Sequence, residues 1–433
     1  MSIKITIFLL LPFLFVSCIS NVNSTLNSKP SNSLIKKQSY LKLPETLLEG
    51  NVSRNRAIEH ALTFNPKLQS KRAELRALQA ETIQAGIRPN PELVFELENF
   101  AGQEGNRDLD SAEITTVISQ KLELGGKRSK RTIVANLSVE AAKAEVAHEE
   151  IMLRITTDQA FTDLLEARYI RELSEKNVDR ANKNLNTLNT LFEAGKSNNI
   201  DVGKAKLALS EAKELLSDAL STESNASIEL SKTWGGGTAN VIASGSLNSS
   251  ILKTPRDIQS IVSKHPAVLA SSLYIARSQA IYILEKSKRY SDVNIEGGIR
   301  EFRDTDEVVA VMGMSIPLPL FDRNQGSIQA AKERIKSAKE NNRATVSNLQ
   351  SQFAKLHSDL NAAQSRANEF DSQTTAAAQQ VLDDTREAYS EGKVSLLEVL
   401  DARETLFKIE KGRIKALADL LRASNSIKNL SNQ

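Results

Sequence analysis

Hydrophobic and polar positions change period several times along this chain, and the changes come twice in the same order. From Ser53, residues Ala57, Ile58, Ala61 and Leu62 share one face, the spacing of an amphipathic helix. Asn65-Pro66 interrupts it, with Asn65 able to cap a second helix and Pro66 suited to its first turn. That helix runs to about Ile87, where Pro89-Asn90-Pro91 stops it. The period then drops to two. Leu93, Phe95 and Leu97 alternate with Val94, Glu96 and Glu98, a Gly- and Asp-containing loop follows, and residues 113–124 alternate again, predicting a β-hairpin. After Gly125-Gly126 no proline occurs before Pro255, so residues 127–193 read as one helix, about 100 Å long at 1.5 Å per residue. Gly195 reads as its left-handed cap. A return helix carries Val202, Ala205, Leu209, Ala212, Leu216 and Ala219, a coiled-coil period of about 3.5 that packs it against the long helix.

The order then recurs. Residues 257–262 match the first short helix, and His265-Pro266 stands in the place of Asn65-Pro66. A helix to about Lys288 leads to strands over 292–300 and 307–316, and to an elbow, PLPLFDRNQG, over 317–326. Its prolines end the strand, and Gly326 reads as the residue that allows close passage before a helix starts. A second proline-free helix is expected from Gly326 to about Ser390. Gly392-Lys393 lines up with Gly195-Lys196, and Ala416, Leu420, Ala423, Ile427 and Leu430 mark a final return helix. Two tandem repeats are thus predicted, 53–234 with a hairpin at 92–124, and 255–430 with a hairpin at 292–317, joined by a linker at 235–254. The expected fold is mainly α, with long coiled-coil helices and a pair of membrane β-hairpins. Strands with one apolar and one polar face fit an outer-membrane barrel, which needs at least about eight strands. Four per chain cannot close it, whereas three chains would supply twelve.

Composition narrows the function. The chain has 433 residues, 25% of them charged, and a net charge of only +3, so no electrostatic case for nucleic acid arises. The single cysteine, Cys18, excludes disulfides within the chain and Cys-based zinc sites. Lys4 and the apolar run after it form a short secretory signal, residues 1–17, rather than a membrane span. LFVSC over 14–18 resembles a relaxed lipoprotein cleavage box, in which Cys18 becomes the lipidated first residue; an ordinary signal peptide with an incidental cysteine is the alternative. The Ser- and Asn-rich residues 18–52 read as a flexible tether. His60, His148, His265 and His357 are far apart in sequence and are read as surface residues, not metal ligands. Gly235-Gly236-Gly237 lacks the context of a phosphate loop, and no catalytic triad is recognisable. No enzyme, cofactor or metal site is therefore expected.

Four motifs carry a resemblance. NPELVFELENFAG (90–102), ISQKLELGGKRSKR (118–131), SIPLPLFDRNQGSIQAA (315–331) and YSEGKVSLLEVLDAR (389–403) resemble the TolC-like outer membrane efflux family. Within it they look most like the CzcC-type branch associated with heavy-metal resistance. The resemblance implies a homotrimeric α-barrel continued by a twelve-stranded outer-membrane β-barrel. It also implies a passive duct that receives substrate from a periplasmic adaptor and an inner-membrane, proton-driven RND pump. The turns at Gly195, Lys196, Gly392 and Lys393 would form the adaptor-contacting periplasmic tips. Asp201, Tyr389, Glu398 and Asp401 match residues of the family's periplasmic gate. A basic residue that some members carry two positions past the second glycine is Val394 here, so the closing contacts of the gate are expected to differ. Glu96 and Glu98 are expected to face the barrel lumen. Export of cobalt, zinc, cadmium or copper cations is the main reading. The alternatives are an efflux duct for organic compounds and a lipid-anchored coiled-coil scaffold without a pore.

Overall fold

The computed structural model describes residues 48, 50–100, 111–237, 241–247 and 257–431. The signal segment and Cys18 lie outside these. The chain begins with β1 (Gly50–Ser53), α1 (Arg54–Phe64) and α2 (Pro66–Gly86). The first hairpin, β2 (Glu92–Glu98) and β3 (Glu113–Leu122), leads to α3 (Lys127–Glu193) and α4 (Asn199–Lys232). After β4 (Val241–Ser244) come α5 (Ile258–Lys264), α6 (Pro266–Ser287), β5 (Val293–Phe302) and β6 (Glu307–Ser315). The remainder is α7 (Gln325–Glu369), α8 (Ser372–Ser390) and α9 (Leu396–Ser431).

The helix starts follow the residues that precede them. Asn65 Oδ1 accepts from the Leu68 amide at 2.8 Å and caps α2, with Pro66 at the first position. His265 does the same work in the second repeat, its Nδ1 accepting from the Ala267 amide at 3.2 Å ahead of Pro266. The 67-residue α3 runs without interruption and packs against α2, α4, α6 and α9. Among the described residues one helix, α6, is long and apolar enough to cross a membrane, but it packs along both α3 and α7 and so belongs to the helical layer.

Four expectations are corrected. The helix expected from Gly326 to Ser390 is two: Phe370 leaves the helical conformation, and Asp371 recaps the chain by accepting from the Thr374 amide at 2.8 Å. The Phe370 ring lies where a Cβ on Gly412 would stand, 2.8 Å from its nearest atom, so the break is packed against α9. At the second elbow the left-handed residue is Asn324 (φ 57°), braced by the Asp322 carboxylate. Gly326 lies inside α7 with open space where its Cβ would be. Part of the expected tether and part of the expected linker are strands: Gly50 to Ser53 pair in parallel with Val241 to Ser244. This ribbon covers a core formed midway along α3 by Val52, Leu68, Phe161, Leu164, Leu165, Leu230 and Trp234, each large side chain contributing about 1.5–3 kcal/mol by its burial. Finally, His265 is not a surface residue. It is 3% exposed, and its ring meets that of His148 edge-on at 5.5 Å between centroids.

The two hairpins join into one antiparallel sheet of order β2-β3-β5-β6. The β3–β5 seam unites the repeats. Gly298 lies in it with no room for a side chain, since a Cβ there would stand 2.0 Å from the Thr116 carbonyl oxygen. Below the sheet, Asp292 of the second repeat receives Lys127 Nζ at 2.6 Å and the Leu124 amide at 3.1 Å, and Arg131 donates to Glu123 at 2.7 Å. The first elbow is thereby fixed to the second.

Candidate functional site: an amphipathic sheet and a helical tip

Successive side chains of a strand point to opposite faces, so the register sorts the sheet into two surfaces. On one, Leu93 aligns with Ile118, Gly297 and Met312, and Phe95 aligns with Thr116, Ile299 and Ala310. These side chains are open to the surroundings: Leu93 is 73% exposed, Phe95 65% and Met312 89%. A contiguous apolar face of this kind marks contact with lipid or a partner. The prolines beyond β6 continue it, with Leu318, Leu320 and Phe321 also exposed. The opposite face carries Glu92, Glu96, Glu98, Glu113 and Glu296, with Thr115 and Ser119 between them. Arg300 crosses this face, donating to Thr115 Oγ1 at 2.9 Å and Glu113 at 3.0 Å, and lies 3.5 Å from Glu98. Glu96 and Glu98 thus stand on the polar surface.

The other functional end lies where α3 meets α4 and α8 meets α9. Both turns are built alike. Gly195 (φ 70°) and Gly392 (φ 75°) take the left-handed conformation that ends a helix. Lys196 donates its amide to the Leu191 carbonyl at 2.8 Å, and Lys393 donates to Ala388 at 2.9 Å. The next helix then starts with bonds between its capping residue and the residue three positions on. Asn198 accepts from the Asp201 amide at 2.9 Å while its side-chain amide donates to the Asp201 carboxylate at 3.0 Å. In the second repeat Ser395 donates its amide and its hydroxyl to Glu398. Two of the sequence-derived gate residues, Asp201 and Glu398, are therefore equivalent positions that hold helix starts. Those Ser395 contacts hold the Glu398 carboxyl below its usual range.

The structure brings Tyr389 and Asp201 together across the repeats. Burial, reinforced by the Asp201 charge, raises the Tyr389 phenol above its ordinary pKa, with neighbouring Ser197 acting in the opposite sense. Leu188, Val202, Leu382, Val399 and Leu406 form the apolar cluster that joins the two coiled-coil pairs here. Asp401 lies on the exposed side of α9 beside Lys204 of α4. Among the described residues no group of three or more His, Cys, Asp or Glu side chains is placed to hold a metal ion. Arg403, also on α9 and nine-tenths buried, was not singled out by its pattern, because a charge on a helix reads as solvated.

A sheet with a bare apolar face, carried at the end of helices of this length, belongs to a membrane duct, and the family model named Outer membrane efflux protein matches residues 57–236 and 258–433. The chain belongs to the outer membrane efflux protein family. The family's work is passage through the outer membrane, not catalysis. The chain is similar to the cobalt-zinc-cadmium resistance protein CzcC of Cupriavidus metallidurans, at 26% identity over 87% of this chain and 89% of that one. It is also similar to the nickel and cobalt resistance protein CnrC of the same organism, at 28% identity over 65% of this chain and 67% of that one. The fold matches a crystal structure of CusC with a TM-score of 0.72 at 17% identity, covering 89% of this chain and 92% of the other. The efflux protein described here is thus an outer-membrane protein of this family, similar in sequence to CzcC and CnrC and alike in fold to CusC.

Proposed function

We propose that three copies of this efflux protein close a twelve-stranded antiparallel barrel, continued through the periplasm by a barrel of helices. The observation that carries this is the sheet: one face apolar and exposed, with β2 and β6 each unpaired along one edge among the described residues. An open edge of this kind is not tolerated in a bilayer. Because the strands alternate in direction, β6 of one copy meets β2 of the next antiparallel, and the same joint repeats around the ring. Eight strands give an interior that side chains fill, whereas a duct needs more. Three copies supply them. A pore-free scaffold has no use for such a sheet.

The cargo we assign is heavy-metal cations, cobalt, zinc, cadmium or copper among them. The resistances named for CzcC and CnrC support this, as does the acidic face of Glu92, Glu96, Glu98 and Glu296, which would line the lumen and favour cations. The duct is passive. An inner-membrane RND pump supplies the energy and a periplasmic adaptor joins it to the tips at Gly195, Lys196, Gly392 and Lys393. Asp201, Tyr389, Glu398 and Asp401 form the gate, and Cys18 carries a lipid anchor. Two measurements test the reading. Membrane fractions run on an unheated gel give an oligomer that collapses to a single chain on boiling. Deletion in a sensitised strain lowers cobalt, zinc, cadmium or copper tolerance. Monomer washed from membranes by salt, or unaltered metal tolerance, counts against it.

A further inference from the structure

Where the first hairpin joins the helices, the chain encloses a hollow of about 450 Å³ between the coil after α2 and the start of α3. Arg88, Pro89, Gln120, Lys121, Leu122 and Arg128 line it. Gln120 Nε2 donates to the Pro89 carbonyl at 3.1 Å and holds the coil before β2 against the end of β3. The neighbouring charges are matched. Glu123, also in the wall, accepts from Arg131 at 2.7 Å, Lys127 donates to Asp292 at 2.6 Å, and Lys121 lies 3.5 Å from Asp292. Lys130 turns back to the Gly125 carbonyl at 2.7 Å. Arg88 and Arg128 differ: among the described residues neither guanidinium has a carboxylate or a hydrogen-bond partner.

The surroundings decide what these cations can meet. Gln120 and Leu122 share the alternation of Ile118 along β3, so the hollow lies at the foot of the apolar face. Leu122 and Ile118 are both exposed. The bilayer boundary on the helical side therefore falls at this hollow. Basic side chains at that depth meet lipid phosphates, and a guanidinium fork matches phosphate oxygens two at a time. We infer that the hollow seats the phosphodiester of an anionic glycerophospholipid of the periplasmic leaflet, held by Arg88 and Arg128, with its acyl chains along Leu122 and Ile118. A zwitterionic lipid fits less well, because its ammonium brings positive charge to a place already cationic. Free phosphate would satisfy the arginines and leave Leu122 bare. The inference rests on the proposed placement of the helices in the periplasm, and not on the number of copies or on the cargo.

The test uses the full-length channel purified in detergent and titrated with phosphatidylglycerol, phosphatidylethanolamine or inorganic phosphate, with bound lipid counted per chain by native mass spectrometry. The native channel is expected to bind phosphatidylglycerol more tightly than phosphatidylethanolamine, each arginine contributing about fivefold. Arg88→Gln combined with Arg128→Gln is expected to erase the difference. Arg56→Gln, at an exposed position on α1, is expected to preserve it. Excess inorganic phosphate is expected to leave the bound lipid in place. Equal binding of the two lipids by the native channel would overturn the site. So would a preference that survives the double variant, or one lost equally in Arg56→Gln. Displacement of the lipid by an equal concentration of inorganic phosphate would overturn the lipid assignment and leave a plain anion site. Should the double variant fail to assemble, the two single variants decide, each expected to lose about fivefold. A channel that shows the lipid preference but runs as a single chain on an unheated gel would keep this site and sink the ring instead.

Discussion

Arg54 and Asp158, 104 residues apart, close a bidentate ion pair at 2.5 Å on both arms. Asp158 lies in the middle of α3 and is 2% exposed, and Asn425 and Asn429 of α9 also donate to it, at 3.3 and 3.1 Å. The first helix, the longest helix and the last are thereby fastened at one carboxylate. Replacing Asp158 by Ala leaves a guanidinium without its partner and two amides without their acceptor. The expected loss is about 3–5 kcal/mol, read as a lowered denaturation midpoint. Because the penalty belongs to the orphaned charge, the Arg54→Met, Asp158→Met double variant is expected to lose less than the sum of its singles. Additive losses would mean that the two side chains act independently.

Gly298 gives a sharper test of the sheet. A methyl group there meets the Thr116 carbonyl and the Val117 backbone, neither of which is the free end of a flexible side chain. Gly298→Ala is therefore expected to part β3 from β5 and abolish the heat-sensitive oligomer on unheated gels. Gly297, its neighbour in the same strand, has open space on its side, and Gly297→Ala is expected to assemble normally. Equal behaviour of the two variants would show that the seam tolerates opening.

What the sequence made legible follows from how local each signal is. Period-two alternation located both hairpins to within a few residues, because the alternation and the faces of the sheet are the same fact. The turns at Gly195 and Gly392 were equally plain, since a left-handed cap prefers glycine. The break at Phe370 was missed although Asp371-Ser372-Gln373-Thr374 is a capping signal: no proline announced it, and its ring packs on Gly412, about 40 residues on. Strands β1 and β4 were missed because four-residue parallel strands leave no periodicity to read. Asp158 and Arg403 were invisible for a shared reason. Their character comes from burial between distant helices, while in sequence each is one charge among many on a long polar helix.

At the tip, Tyr389 lies in the field of Asp201 and packs against the cluster that joins the two coiled-coil pairs. If these contacts hold the gate shut, Tyr389→Ala loosens α8 from α4 and raises the resting conductance of the channel in planar bilayers. Asp201→Asn is expected to do less, because Asn198 can still cap α4 through the backbone amide. Unaltered conductance in Tyr389→Ala would assign the tyrosine to packing alone.

His265 supplies a pH dependence whose sign is fixed by its burial. Loss of solvent, with the neighbouring His148 charge adding to it, lowers the His265 pKa from 6.5 to about 4. Lys67, Glu145 and Glu149 stand around His148, whose own pKa burial also lowers. The unfolded chain binds a proton on His265 below pH 6.5 and the folded chain does not until about pH 4. Stability is therefore full above about pH 6.5 and falls with acid through that window, by about 1.4 kcal/mol per pH unit and at most about 3.5 kcal/mol in all. The first repeat indicates how to remove the effect without losing the cap, since Asn65 holds the equivalent position and caps α2 through its side chain. His265→Asn is thus expected to preserve the start of α6 and flatten the decline of the denaturation midpoint between pH 6.5 and 4. A decline as steep as that of the native chain would show that carboxylates, not this imidazole, set the acid limit of the fold.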